Sequence, residues 1–257
     1  MKTTKILTSA IVLSTLGLAA APAVHAADVH TETTTSTGKI GFIEDKDPTN
    51  PIDPTNPTDP INPTDPGAPG TVGPLSIDYV SNFDFKSDNK ISGDDKTYYA
   101  NPIKATDKDG KEVQRANYLQ VTDKRGSNIG WKLTVKQGAQ FKNGSAELDG
   151  AKLQMTTQTL NSKNMDLNNP SNIPTIENKT MTLVPATAAT PNTDVKVLSA
   201  GKNQGMGTWT DSFGVYDSDA AIDTASKAVS LEVPGNSAKT VGSYTTDLTW
   251  TLTDDGM

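Results

Sequence analysis

Gly130-Trp131-Lys132-Leu133-Thr134-Val135 and Leu248-Thr249-Trp250-Thr251-Leu252-Thr253 are the two stretches on which the fold turns. Successive side chains of a β-strand point to opposite faces, so Trp131, Leu133 and Val135 share one face while Lys132 and Thr134 share the other. In the second stretch Leu248, Trp250 and Leu252 line one face, with threonines opposite. Short runs of the same kind recur outward from these two: Leu75 to Val80, Tyr118 to Thr122, Ile129 to Lys136, Leu153 to Leu160, Thr180 to Val184, Val195 to Ser199, Ala228 to Val233 and Tyr244 to Thr253. Asp109-Gly110, Asn143-Gly144, Asp149-Gly150 and Pro234-Gly235-Asn236 punctuate them, with Asn143-Gly144 and Asp149-Gly150 reading as hairpin turns. No segment carries a convincing helical period. Many short strands at this spacing predict an all-β fold, an antiparallel β-sandwich of Ig-like or barrel-like type.

The two apolar ladders admit two readings. Trp buries a large area and alternation normally marks the buried side, which places both rings in the core. Alternatively the ladders lie on adjacent strands and form an exposed aromatic groove for a sugar chain or a protein. Trp209, in Gly207-Thr208-Trp209-Thr210, lacks the following Leu and reads as a core or groove aromatic.

Four segments follow along the chain. Lys2 and Lys5, the apolar run Ile6 to Ala21 and Val24-His25-Ala26 have the order of a secretory signal peptide over residues 1–26. Residues 27–47 form a polar leader with one candidate strand, Gly38 to Glu44, expected either to stay disordered or to pair with the main domain or another protein. From Pro48 to Pro69 a proline recurs every third residue. Three residues per turn is the polyproline II period, so residues 48–74 are expected to be a semi-rigid, disordered spacer. Residues 75–257 then form a single β-domain. Within it, Asn161 to Thr175 and Ala200 to Gly207 are expected to be long connections.

Composition narrows the function. The chain has 23 Lys and Arg against 30 Asp and Glu. Removing residues 1–26 takes away two lysines and no acid, leaving a net charge of −9. An acidic surface repels phosphate-rich partners, and no Lys/Arg run offers a local exception, so nucleic acid is not an expected partner. There is no cysteine, and the two histidines lie at positions 25 and 30. Disulfides, thiol nucleophiles, lipidation on Cys, Ser-His-Asp triads and His-ligated zinc are therefore excluded from the β-domain. Asp107-Lys108-Asp109-Gly110 resembles part of a calcium loop, but Ala105 and Ala116 occupy its end ligand positions, so a β-turn is expected. Asp217, Asp219 and Asp223 read as a solvated acidic loop. No catalytic residue, no metal site and no cofactor is expected, and the protein is not read as an enzyme.

With these motifs in view, the sequence resembles the Trp-x-Leu (WxL) domain family of cell-surface proteins of low-GC Gram-positive bacteria. The resemblance rests on the leader Gly38-Lys39-Ile40-Gly41-Phe42-Ile43-Glu44-Asp45, the repeated Asp-Pro-Thr-Asn-Pro spacer, the start Leu75-Ser76-Ile77-Asp78-Tyr79-Val80, and both Trp-x-Leu motifs. It implies a small, single-domain member, secreted and held non-covalently on the cell wall, with peptidoglycan as ligand and both motifs required. It also implies partners: other WxL proteins and a membrane-anchored WxL-interacting companion. The residues expected to bind the wall or a partner are Trp131, Leu133, Trp250, Leu252 and Lys132, with Lys136 and Lys142 close by. The alternative is an assembly subunit retained by docking on the companion and contributing to host adhesion.

Overall fold

A computed structural model describes residues 31–165, 170–187, 191–217 and 221–254, so the expected signal peptide lies outside the described residues. The chain separates into two units, residues 1–41 and 42–257. Residues 31–41 carry no strand, and Ile40 there is 79% exposed. At the start of the second unit Phe42 and Ile43 are 87% and 96% exposed. The candidate strand Gly38 to Glu44 is thus not formed: three apolar side chains beside two glycines bury too little to offset the ordering of an unpaired strand.

The described residues of the second unit contain nineteen strands. They are β1 (Ile61–Pro63), β2 (Leu75–Val80), β3 (Lys96–Tyr99), β4 (Ile103–Asp107), β5 (Glu112–Arg115), β6 (Tyr118–Asp123) and β7 (Trp131–Gln137). Next come β8 (Lys142–Asn143), β9 (Ala146–Glu147), β10 (Lys152–Thr156), β11 (Gln158–Asn161), β12 (Thr175–Ile176) and β13 (Thr180–Leu183). The last are β14 (Val195–Ala200), β15 (Gly207–Phe213), β16 (Tyr216–Asp217), β17 (Ile222–Asp223), β18 (Val229–Val233) and β19 (Leu248–Thr253). All pairings are antiparallel. Three sheets have four strands each, in the orders β13-β10-β18-β3, β11-β15-β6-β2 and β12-β14-β7-β19. A three-stranded sheet, β1-β4-β5, and the hairpins β8-β9 and β16-β17 complete the set. The chain is all-β and antiparallel, of the sandwich or barrel class.

The main core draws on every four-stranded sheet, through Ile77, Leu119, Val121, Trp131, Leu133, Leu153, Met181, Leu198, Trp209 and Leu231. Asn143-Gly144 closes the β8-β9 hairpin and Asp109-Gly110 the β4-β5 hairpin. Asp149-Gly150 turns the chain without joining paired strands, because β9 pairs with β8 and β10 with β13 and β18. The run Leu153 to Leu160 is two strands. Thr157 takes a φ of 57°, a left-handed conformation that a β-branched residue rarely adopts, and this break sends β10 and β11 into different sheets.

The proline-rich segment departs most from expectation. In place of a free spacer it folds onto β6, whose six residues are all buried. Leu119 and Val121 face the main core, whereas Gln120 on the opposite face holds the segment. Its Nε2 donates to the carbonyl of Asn50 (3.1 Å) and to Asp78 Oδ2 (2.9 Å), and its Oε1 accepts from the amide of Ile52 (2.8 Å). Asp53 is buried and takes a two-pronged bond from Arg115, Nε to Oδ1 at 2.8 Å and the terminal nitrogen to Oδ2 at 2.6 Å. Burial alone would raise the Asp53 pKa, but Arg115 and the hydroxyl and amide of Thr55 outweigh it and hold the carboxyl below its ordinary value. Ile61 enters a second core with Tyr79, Ile103, Ala105 and Tyr118, and β1 pairs with β4. The period of three marks where the prolines fall and does not by itself make a free polyproline II spacer. The residues between the prolines decided the outcome: Asp and Thr close local turns, while Ile52 and Ile61 supply apolar anchors.

Two measurements check this strap. Limited proteolysis should leave residues 48–65 intact under native conditions. Asp53→Ala, which strands Arg115 half-desolvated, should lower stability by about 1–3 kcal/mol in urea melts. Rapid cleavage of the wild-type segment, or an Asp53→Ala variant as stable as wild type, would restore the free spacer.

Candidate functional site

The two Trp-x-Leu motifs lie side by side. β7 is interior to its sheet and β19 lies along its edge, pairing Trp250 with Val135, Leu252 with Leu133 and Thr253 with Lys132. Direct cross-strand partners point the same way, so the ladders share one face, as the period of two requires. That face is the inner one. Trp131 and Leu133 are 0% exposed, and Trp131 Nε1 donates to the carbonyl of Gly205 at 3.1 Å. Gly205 sits at φ +72°, and a Cβ there would fall 2.5 Å from that indole nitrogen. The connection Ala200 to Gly207 therefore covers the ring through Gly205, while Lys202, Asn203 and Met206 on it stay exposed. Trp209 is also core, its Nε1 donating to the carbonyl of Met206 at 3.1 Å.

Trp250 differs. Among the described residues its strand has a neighbour on one side only, and Leu248, Trp250 and Leu252 are half-buried. Of the five expected contact residues, Trp131 and Leu133 thus stand inside the domain and present no surface, while Trp250, Leu252 and Lys132 stand partly in the open. Lys132 and Lys136 share the outer face of β7 with the β19 threonines. Lys136 lies 3.9 Å from Asp194 and Lys142 lies 3.6 Å from Glu147.

Beside β19 opens a cleft of about 550 Å³ that the motif reading did not find. Trp250 and Leu248 form one wall, with Tyr98 of β3, Tyr244, and Phe83 and Phe85 from the loop after β2 around them. Its floor reaches core residues Val80, Leu153 and Leu231. Phe85 and Phe141 meet edge to face at 6.3 Å, and Phe83 meets Phe213 likewise at 5.9 Å. The loop carried a signal: Phe83, Phe85 and Ile91 are large apolar residues in a stretch otherwise rich in Ser, Asn, Asp and Lys.

The calcium-like loop is a turn, as expected, in which Asp107 Oδ1 accepts the amides of Asp109 and Lys111 at 2.9 Å each. Of the acidic loop, Asp219 lies outside the described residues, and Asp223 Oδ1 accepts the amide of Ser226 at 2.8 Å. Among the described residues, no helix is long and apolar enough to cross a membrane.

An edge strand and its interior neighbour, each carrying a Trp-x-Leu ladder on the same face, meet a family model described as "WxL domain surface cell wall-binding", which matches residues 29–255. The chain belongs to the WxL family. The match spans the leader and the proline-rich segment as well as the β-domain, which agrees with a strap folded into the WxL unit. No curated protein and no solved structure matches the chain. As a member of a cell-wall-binding family, this WxL protein is a surface protein of the wall.

Proposed function

We propose that the protein is a secreted, non-catalytic module that attaches itself to the cell wall by binding peptidoglycan through its WxL domain. The observation that carries this reading is the wall-binding family match along nearly the whole chain. Trp131 and Leu133 act by building the sheet, and the contact is made on the β19 side, where Trp250 and Leu252 reach the surface. The experiment is a pull-down of the purified mature chain on peptidoglycan sacculi stripped of protein, with and without a membrane-anchored companion of the WxL type. Direct binding supports the proposal.

A second reading, an assembly subunit held indirectly by another WxL protein or the companion, is favoured by two features. Ile40, Phe42 and Ile43 are exposed, and β19 leaves one strand edge unpaired among the described residues. Such an edge is a template for strand addition. Retention that appears only with the companion present would select it.

A further inference from the structure

We infer that the domain pairs with a second copy of itself, edge to edge along β19, in an antiparallel register centred on Trp250. The inference is independent of the wall-binding proposal: it concerns the backbone edge of β19 and needs no ligand.

Backbone register fixes what that edge offers. Gly138 donates its amide to the carbonyl of Asp247 at 2.8 Å, so these two residues continue the β7–β19 ladder as a hydrogen-bonded pair. Such pairs alternate along antiparallel strands, which turns the backbone groups of Thr249, Thr251 and Thr253 toward β7. Those of Leu248, Trp250 and Leu252 point the other way, and among the described residues no strand meets them. The β7 side agrees: the carbonyl of Gln137, the partner of Leu248, faces away from β19 and accepts the side-chain amide of Asn192 at 2.6 Å.

The sequence of this edge matches itself in reverse. Leu248-Thr249-Trp250-Thr251-Leu252 reads the same in both directions. A two-fold interface needs a self-complementary patch, which a strand reading alike in both directions supplies to an antiparallel pair. With the axis at Trp250, each Trp250 faces its counterpart and Leu248 faces the partner's Leu252. These are the residues whose N–H and C=O point outward, so each pair can exchange both hydrogen bonds. The apolar ladders then share the inner face, while Thr249 lies opposite the partner's Thr251 on the outer one, a favourable cross-strand pair. A slip of one residue would set leucine against threonine and inner face against outer.

The edge is also unguarded. Natural sheet edges are blunted by charge, proline, bulges, short length or a covering segment. β19 has six residues, none of them charged or proline, and it pairs with β7 without a register shift. The other edges of the four-stranded sheets differ. β3, β11 and β13 have four residues each and β12 has two. β2 is covered by the chain before it, which sends the amides of Ala68 and Thr71 to the carbonyls of Val80 (3.0 Å) and Ile77 (2.8 Å). The cleft that Trp250 and Leu248 wall gives the joined ladders apolar surroundings in Tyr98, Phe83 and Phe85.

One strand pair buries less than the roughly 1,200 Å² of a standard interface, so the dimer is weak, with a Kd on the order of 10–100 μM. The chain is acidic, with 30 Asp and Glu against 23 Lys and Arg, so two copies repel and salt tightens their pairing.

Sedimentation velocity of the purified mature chain, from about 5 to about 500 μM, should show a reversible monomer–dimer equilibrium. Raising NaCl from about 50 to about 500 mM should tighten it about threefold. Thr249→Glu/Thr251→Glu changes two exposed residues, sets like charges opposite each other across the two-fold axis, and should weaken pairing about tenfold with the melting temperature unchanged. The register is read by cross-linking, which a chain without cysteine makes clean. Copies with Thr249→Cys mixed with copies with Thr251→Cys should form a covalent dimer under oxidised glutathione, because facing residues of this pair type have Cα atoms about 4.5 Å apart, within disulfide reach. Either variant alone should cross-link several-fold less. A chain that stays monomeric over the whole range, a folded Glu variant that pairs as tightly as wild type, or a mixture that cross-links no faster than either variant alone overturns the inference. None of these results bears on wall binding, which is read separately on sacculi.

Discussion

Trp131→Ala is expected to lower the stability of the domain by about 3–5 kcal/mol, and Trp250→Ala by roughly 1–2 kcal/mol. The two residues occupy the same position in the same motif, so the difference comes from placement alone. Trp131 has sheet neighbours on both sides, a capping loop above it and a bonded indole N–H. Truncation there leaves a cavity that β14 on one side and β19 on the other hold open, and it leaves the Gly205 carbonyl without its donor. Trp250 sits on an edge strand and opens onto the cleft, so water can enter the space its ring vacates. Domains of this size are stable by about 5–15 kcal/mol in total. Trp131→Ala should therefore lose wall retention together with its fold, and Trp250→Ala should lose retention while melting cooperatively. Urea melts paired with a wall-binding assay check both. Equal destabilisation by the two substitutions would contradict the assignment of one ring to the core and the other to the surface.

Asp211→Asn is expected to stabilise the domain at neutral pH and to flatten its pH dependence. Asp211 faces inward on β15, with Leu119 and Leu160 as its cross-strand partners. Gln158 donates to Oδ2 at 2.5 Å, but Oδ1 has no hydrogen-bond partner. Burial pushes the carboxyl up to about 7, against a partial opposing effect of Gln158. In the unfolded chain an Asp titrates near 3.9. Between these values the folded state holds a proton that the unfolded state has released, so stability falls as pH rises. The contribution is fully present below about pH 4 and lost by about pH 7. A displacement of about three units corresponds to a loss on the order of 4 kcal/mol. Asn keeps the shape and cannot ionise, so the variant should melt higher than wild type at pH 7.5 and converge with it near pH 4. Asp78, also raised by burial, keeps a smaller slope of the same sign. A variant less stable than wild type at pH 7.5 would show that Asp211 is held ionised by the fold.

The antiparallel all-β class was legible because hydrophobic alternation and Asn-Gly or Asp-Gly turns are local signals. β2 and β19 lie within runs marked by alternation alone, whereas the pairing of the two motif strands is one of two open readings, because a shared ladder gives each strand a buried face without saying which strand lies beside it. β15 escaped because Thr208, Thr210, Asp211 and Ser212 dilute its apolar content, and only Trp209 and Phe213 mark its inner face. The strap escaped for a different reason. Its hold on the domain lies in long-range pairs, Asp53 with Arg115 and Asn50 and Ile52 with Gln120, whose partners are 62 to 70 residues away. A period of three prolines cannot reveal them. At the candidate site the motif marked the strands but left open which ring is buried, since alternation identifies a face and sheet order decides whether that face is covered. The cleft needed the meeting of β3, β19 and the loop after β2, which no single window of sequence contains.

The central claim, that this WxL domain holds the wall directly, is tested by a binding isotherm of the purified mature chain on protein-free sacculi, repeated with EDTA and with NaCl raised to about 1 M, where the Debye length falls to roughly 3 Å. Stacking and hydrogen bonds are screened far less than exposed charge pairs. The account predicts saturable binding without any companion protein, unchanged by EDTA and weakened less than about threefold by salt. Absence of binding until a companion protein is added would contradict it.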